Sequence, residues 1–255
     1  MNNNSTILQT LTLKKHNYIF VILSILILFA GGFSIYRNIG LKLKTTLTNE
    51  LTTILNSNAV SLDLWMEKEK RLIEAVSHRS DLNSKVEALL KKNTDHETQA
   101  ELLQQELNRL CKAYDYKSFL ILAPDMSCIS ASNKLHINKR PLQKFTLINR
   151  AMNGESFVSL PTKAGFFQAQ SKGNEVSLYS LAPLRTAKGE IQAVLIFEID
   201  PRLGFSKVLS IARSGESGET YAFDERGVLI SYSRFEEHLK EAKILQEKDI
   251  SIMNI

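Results

Sequence analysis

The spacing of apolar and polar positions divides the chain into three stretches. Between Asn17 and Tyr36 there is no spacing at all: NYIFVILSILILFAGGFSIY contains no charged residue. Such a run, wound as a helix, rises about 30 Å, the thickness of a bilayer's hydrocarbon core. It predicts a transmembrane helix with Tyr18 and Tyr36 at the two interfaces. From Leu41 to about Val76 apolar residues return every three or four positions, at Leu47, Leu51, Ile54, Leu62, Trp65, Leu72 and Val76. That is the period of an amphipathic helix. The Thr, Asn and Ser residues between them lower its intrinsic propensity, so it calls for tertiary support. Further helices are expected near 83–92, with Val86, Leu89 and Leu90 inward, and from about Asp95 to Lys112, capped by Thr94 or Asp95.

The period then shortens to that of strands. Ser118–Ala123 is a short apolar run, Pro124-Asp-Met-Ser127 a turn, and Cys128–Ser132 a second strand, which makes a hairpin. Leu142–Met152 reads as a helix ending at Asn153-Gly154. Glu155–Leu160 is a strand closed by Pro161, and a polar loop covers Thr162 to Asn174. Glu175–Leu184 and Gly189–Ile199 are two strands joined by a short turn, and Leu203–Ala212 is a linking helix. A new hairpin follows, Thr220–Asp224 with Val228–Ser231 around Gly227. Hairpins on either side of a helix, after a helical entry, predict an α+β fold: an antiparallel, PAS-like sheet with helices packed on it, and the start of a second such unit.

Composition narrows the function. The net charge is +5 over 255 residues, with the two signs interspersed. No basic stripe interleaved with aromatics marks a nucleic-acid partner. Cys111 and Cys128 are expected to flank a strand, farther apart than the roughly 7 Å a disulfide allows, and so to be free, buried thiols. No CxxC, HExxH or His/Cys cluster suggests a metal, and no cofactor is implied. SGESGET, residues 214–220, lacks the Lys of a P-loop and reads as a turn, and no catalytic triad is suggested. Lys14, Lys15 and His16 with Ala30-Gly31-Gly32 also fit a cleaved signal peptide. The apolar run continuing through Phe33, Ile35 and Tyr36 favours a retained anchor. Lys14 and Lys15 before it and Arg37, Lys42 and Lys44 after it leave orientation undecided by charge.

Three stretches carry a likeness to a known family: LDLWMEKEKR at 62–71, LAPLRTAKG at 181–189, and SGESGETYAFDERGVLISYSRF at 214–235. With the membrane helix and long helix before them, they resemble the double Cache module, the extracytoplasmic sensor of bacterial transmembrane receptors. The resemblance implies a cytoplasmic tail (1–16), a transmembrane helix (17–36), a helical entry segment (37–112), a distal PAS-like unit (113–202), and a linking helix with an incomplete proximal unit (203–255). It implies a non-catalytic module, anchored in the inner membrane with its bulk outside. Such a module binds a small molecule for signal transduction and is open to homodimerisation through the long helix. The alternative is the N-terminal fragment of a transmembrane kinase or cyclase whose catalytic half is missing. An Arg-x-Trp-Tyr stretch, which marks an amino-acid-binding subset, is not found; Trp65 is the sole tryptophan and reads as a packing anchor. Arg140, Arg150, Phe167, Tyr179 and Arg185 are the candidate ligand contacts, with Lys163 and Phe166 beside them. Tyr179 is equally explained as an ordinary sheet aromatic. Residues 236–255 are expected to form at most a loose helix and to leave Tyr221, Phe223, Leu229 and Phe235 poorly covered.

Overall fold

A computed structural model describes residues 3–91, 96–163, 165–167 and 175–254, with side chains from Ile22 onward. The expected cap at Thr94 or Asp95, and Ala164 and 168–174 of the expected polar loop, lie outside the described residues. The chain divides into two units, residues 1–53 and 54–255. The first belongs to helix α1 (Asn3–Ser77). From Ile22 on, that helix is long and apolar enough to cross a membrane, and the large apolar side chains between Ile22 and Tyr36 stand exposed.

In the second unit the rest of α1 is followed by α2 (Ser80–Leu90) and α3 (His96–Ala113). The strands are β1 (Tyr116–Leu122), β2 (Cys128–Ala131), β3 (Phe157–Val158), β4 (Thr162–Lys163), β5 (Val176–Arg185) and β6 (Ile191–Ile199), with helix α4 (Phe145–Met152) between β2 and β3. They form an antiparallel sheet in the order β2-β1-β6-β5-β3, with β4 also on β5. Alternation sorts the sheet residues into two cores. Phe119, Ile121, Leu178, Leu195 and Phe197 face the core shared with Ile73, Leu82, Val86 and Leu107 of α1, α2 and α3. Leu120, Leu122, Tyr179, Leu181, Val194 and Ile196 face the core shared with Ile148 and Ala151 of α4 and with Phe166. Both faces of the sheet therefore carry a core, which is why β5 and β6 read as nearly unbroken apolar runs.

Several elements are shorter than their patterns suggest, for local reasons. The expected strand 155–160 keeps only Phe157–Val158, because the Ser159 hydroxyl accepts from Tyr179 N (3.0 Å) where a ladder bond would stand. The expected helix 142–152 starts at Phe145: Lys144 has φ 64°, and Leu142 N donates to Phe166 O (2.7 Å). The linking helix is cut to α5 (Phe205–Leu209), preceded by Gly204. The Trp65 ring lies on that glycine, whose missing Cβ would sit 2.3 Å from Trp65 Cζ2. Trp65 is thus a packing residue between α1 and the turn after β6. The expected C-terminal hairpin has one bridge, Phe223 to Leu229, and its next rung is supplied by Ser231 Oγ, which accepts from Ala222 N (3.0 Å).

Two buried polar groups tie α1 to the rest. Asn58 Nδ2 lies 3.3, 3.0 and 2.8 Å from Leu209 O, Ala212 O and Thr220 Oγ1. Glu69 accepts from Tyr116 Oη at 2.5 Å. The tail is better anchored than its composition suggests. Helix α6 (Glu236–Glu241) is short, but Glu236 Oε1 accepts from Ser251 N (2.6 Å), Ser251 Oγ accepts from Ser233 N (2.7 Å), and Met253 N donates to Leu229 O (2.7 Å). Leu229 is consequently buried, contrary to expectation, whereas Tyr221 and Phe223 are exposed and Phe235 is half-buried. Cys111 and Cys128 are free and buried, and burial pushes each thiol up to about 12.

The Trp65–Gly204 contact sets a measurable cost. Gly204→Ala forces the indole or the turn to move, and overpacking of this kind costs about 1–3 kcal/mol. Thermal unfolding of the variant should show a clear fall in Tm, whereas Gly165→Ala, which meets nothing within 4 Å, should leave Tm near the parent value.

Candidate functional site

The α4 side of the sheet is incompletely covered. A cleft of about 540 Å³ opens there over β1, β5 and β6. Strand alternation puts Ser118 and Leu120 of β1, Tyr179 of β5 and Glu198 of β6 on this face. The short 3₁₀ turn Lys134–His136, capped by Asn133 Oδ1 accepting from Leu135 N (3.0 Å), brings His136 to one wall. The segment Gly165–Phe167 forms another. The walls are aromatic: His136 stacks on Phe167 with centroids 4.3 Å apart, and Phe166 meets Tyr179 edge-on at 4.7 Å.

Glu198 is the polar centre of the cleft. Ser118 Oγ donates to its Oε2 (2.5 Å) and Ser177 Oγ to its Oε1 (2.7 Å). Lys117 Nζ lies 3.5 Å from Oε1 and 3.4 Å from Glu175 Oε1, and donates to Ser177 Oγ (2.9 Å). The pairing of β1 with β6 slips between Tyr116 and Ser118, so Lys117 has no register partner on β6 and Ser118 pairs with Glu198. Electrostatics here follow burial. The Tyr179 phenol is pushed up by burial and then by the Glu198 charge. His136 is held below its usual value by burial and by Lys139, against the opposing pull of Glu198. Lys144, whose ammonium lies 5.2 Å from the centre of the Tyr179 ring and donates to Thr162 Oγ1 and Lys163 O, is pushed down by burial to about 8.

Of the residues singled out from the sequence, Tyr179, Phe167 and Phe166 line the cleft. Arg140 lines an adjoining hollow of about 450 Å³ that shares Asn133, His136 and Phe167 with it, and pairs with Asp125 (3.4 Å). Arg150 is elsewhere, over the Phe157 ring at 3.9 Å and paired with Glu155 (2.9 Å). Arg185 is at the β5–β6 turn, donating to Gly189 O (2.8 Å). Lys163 donates to Asn254 Oδ1 (2.5 Å). Glu198, Ser118, Lys117 and His136 were not among the site residues expected from the sequence. The signal for Glu198 was present: a carboxylate inside AVLIFEI, a strand apolar on both faces, needs partners or a ligand.

No protein-family model matches this sequence, and no curated protein matches it. Solved structures do. The extracellular domain of vpHK1S-Z8, named as a histidine kinase, matches with a TM-score of 0.55 at 13% identity, over 80% of this chain and 76% of that one. The body shares the fold of that extracellular domain, a PAS-like antiparallel sheet with helices packed on it. Two further domains match at lower scores. The sensor domain of the V. cholerae histidine kinase DctB matches at TM-score 0.49 and 16% identity, over 62% of this chain, which spans 57% of that domain. The ligand-binding domain of the Pseudomonas fluorescens chemoreceptor CtaA, solved with L-serine, matches at TM-score 0.49 and 14% identity over 80% and 81% of the two chains.

Burial of Lys144 has a pH signature. With its folded value near 8 and its unfolded value near 10.5, the folded chain binds fewer protons than the unfolded one between those limits, so stability rises with pH across that window. Thermal melting from pH 7.5 to 9.5 should show Tm climbing in the parent relative to Lys144→Met, and parallel curves would contradict the assignment.

Proposed function

We propose that this chain is a membrane-anchored sensor module: residues 17–36 span the inner membrane and the body lies outside it. The unit 113–202 binds a small organic solute, and 203–255 open a second, proximal unit. The cleft over Glu198 carries this reading. It has the size usual for small-molecule sites, aromatic walls, and a few convergent polar groups. The fold shared with the extracellular domain of vpHK1S-Z8 supports the orientation, and the uncharged run at 17–36 supports the anchor. Leu43, Leu47 and Leu51, exposed at four-residue spacing on α1, support pairing of this helix with a second copy. No catalytic role is assigned.

Protease added to intact spheroplasts should digest the body beyond Arg37; full protection, or release of a soluble mature form, would contradict the topology. A thermal-shift screen of the detergent-solubilised chain tests the binding reading, since a solute at a hundred times its Kd adds about 2.7 kcal/mol. Phe167→Ala, which removes a half-buried wall, should keep the fold and weaken any hit by about tenfold, the effect of losing roughly 1.4 kcal/mol of ring contact.

A further inference from the structure

Among the described residues, two buried side-chain polar atoms meet no hydrogen-bond partner: Gln192 Oε1 and Thr186 Oγ1. Both residues line one hollow of about 430 Å³, whose other walls include Glu87, Leu90 and Lys91 at the end of α2 and Ala187 in the β5–β6 turn. The hollow is separate from the cleft: Gln192 and Glu198 are six residues apart on β6, about 20 Å of extended strand. A desolvated polar atom without a partner forfeits the hydrogen bond that water gave it in the unfolded chain. Native interiors leave few such atoms, and two at one place call for a partner from outside the chain.

The hairpin holds both groups in place. Gln192 is 6% exposed, and its Nε2 donates to Asn83 O (3.0 Å) and Arg185 O (3.2 Å). Exchanging the two ends of the amide would set Oε1 against those carbonyls, so the oxygen is the open end. Thr186 N donates to Glu190 O and Gly189 N donates to Thr186 O, both at 2.9 Å, with Gly189 at φ 86°. The Thr186 side chain, branched at Cβ, has little rotamer freedom to turn away. Gln192 Oε1 is an acceptor only, so its partner has to donate; Thr186 Oγ1 can donate, so the same partner can accept from it. Glu87 and Lys91 are paired with each other (2.5 Å), and Leu90 and Ala187 are apolar.

We infer that this hollow is a second binding site and that it takes a neutral solute ending in a primary carboxamide. The ligand's N–H donates to Gln192 Oε1, its carbonyl accepts from Thr186 Oγ1, and a short apolar body lies against Leu90 and Ala187. A carboxylate would set acceptor against acceptor at Gln192, and an ammonium would offer the Thr186 hydroxyl proton no acceptor.

The test uses the full chain in detergent micelles and saturation-transfer NMR titrations with four probes of similar body. These are isobutyramide, 3-methylbutan-2-one, which lacks the donor, isobutyrate, which lacks it and is charged, and isobutylammonium, which lacks the acceptor. The amide should saturate and bind about fivefold more tightly than the ketone, the size of one neutral hydrogen bond, with the carboxylate and the ammonium weaker than the amide. Thr186→Val should weaken amide and ketone alike by about fivefold, because both lose the hydroxyl. Gln192→Leu should weaken the amide by the same factor and leave the ketone unchanged. Should Gln192→Leu not fold without its Nε2 bonds, Thr186→Val, which keeps the branched side chain and the turn, still decides. Equal binding of amide and ketone, preference for the carboxylate or the ammonium, or unchanged amide affinity in Thr186→Val would overturn the assignment. So would saturation by none of the four with the protein folded, the result expected if water alone serves the two atoms. Each of these results leaves the reading of the Glu198 cleft standing, since neither Gln192 nor Thr186 lines it.

Discussion

Everything in the body depends on two strands that are apolar on both faces. β5 and β6 bury nearly every residue, so water has to be excluded from each side of the sheet. Each fully buried Leu, Ile or Phe contributes about 1.5–3 kcal/mol, which makes covering both faces a condition of folding. On one side three helices do it, with Ile73, Leu82 and Leu107 at the contact. On the other, among the described residues, the helix that does it is α4, eight residues long, helped by Phe166. Eight residues do not span strands of nine and ten. The stretch of sheet that α4 leaves uncovered is the floor of the cleft, and it is there that β6 carries Glu198 instead of an aliphatic residue.

The fold was largely legible because periodicity reports burial. The strands expected at Glu175–Leu184 and Gly189–Ile199 stand at Val176–Arg185 and Ile191–Ile199, and the turn at 124–127 could be read from Pro124 and Asp125, whose side chain accepts from Ser127 N. What periodicity does not show is side chains standing in for backbone. Ser159 and Ser231 each replace a ladder bond with a hydroxyl, so β3 and the C-terminal hairpin are shorter than their apolar patterns. Nor does it show contacts at long sequence separation, such as Trp65 on Gly204, or Met253 N on Leu229 O.

The site was less legible than the fold, for an electrostatic reason. Arginines draw attention as ligand contacts, yet each one singled out has its own nearby partner: Arg140 with Asp125, Arg150 with Glu155 and Phe157, Arg185 with Gly189 O. The groups that do meet come from distant segments, Ser118 and Lys117 from β1, His136 from a 3₁₀ turn, Glu198 from β6. Only the sheet register brings them together. Tyr179 shows that the two readings of a sheet aromatic were never exclusive, since it is at once a core residue and part of the cleft floor.

The slip in β1 at Lys117 has a mechanical side. Tyr116 and Ser118 flank that one unpaired residue and project to opposite faces: Tyr116 holds the buried carboxylate of α1, Ser118 the open carboxylate of β6. The two hydroxyls are separated by one residue of β1, so the same short strand end fastens α1 on one side of the sheet and orients the carboxylate of the cleft on the other.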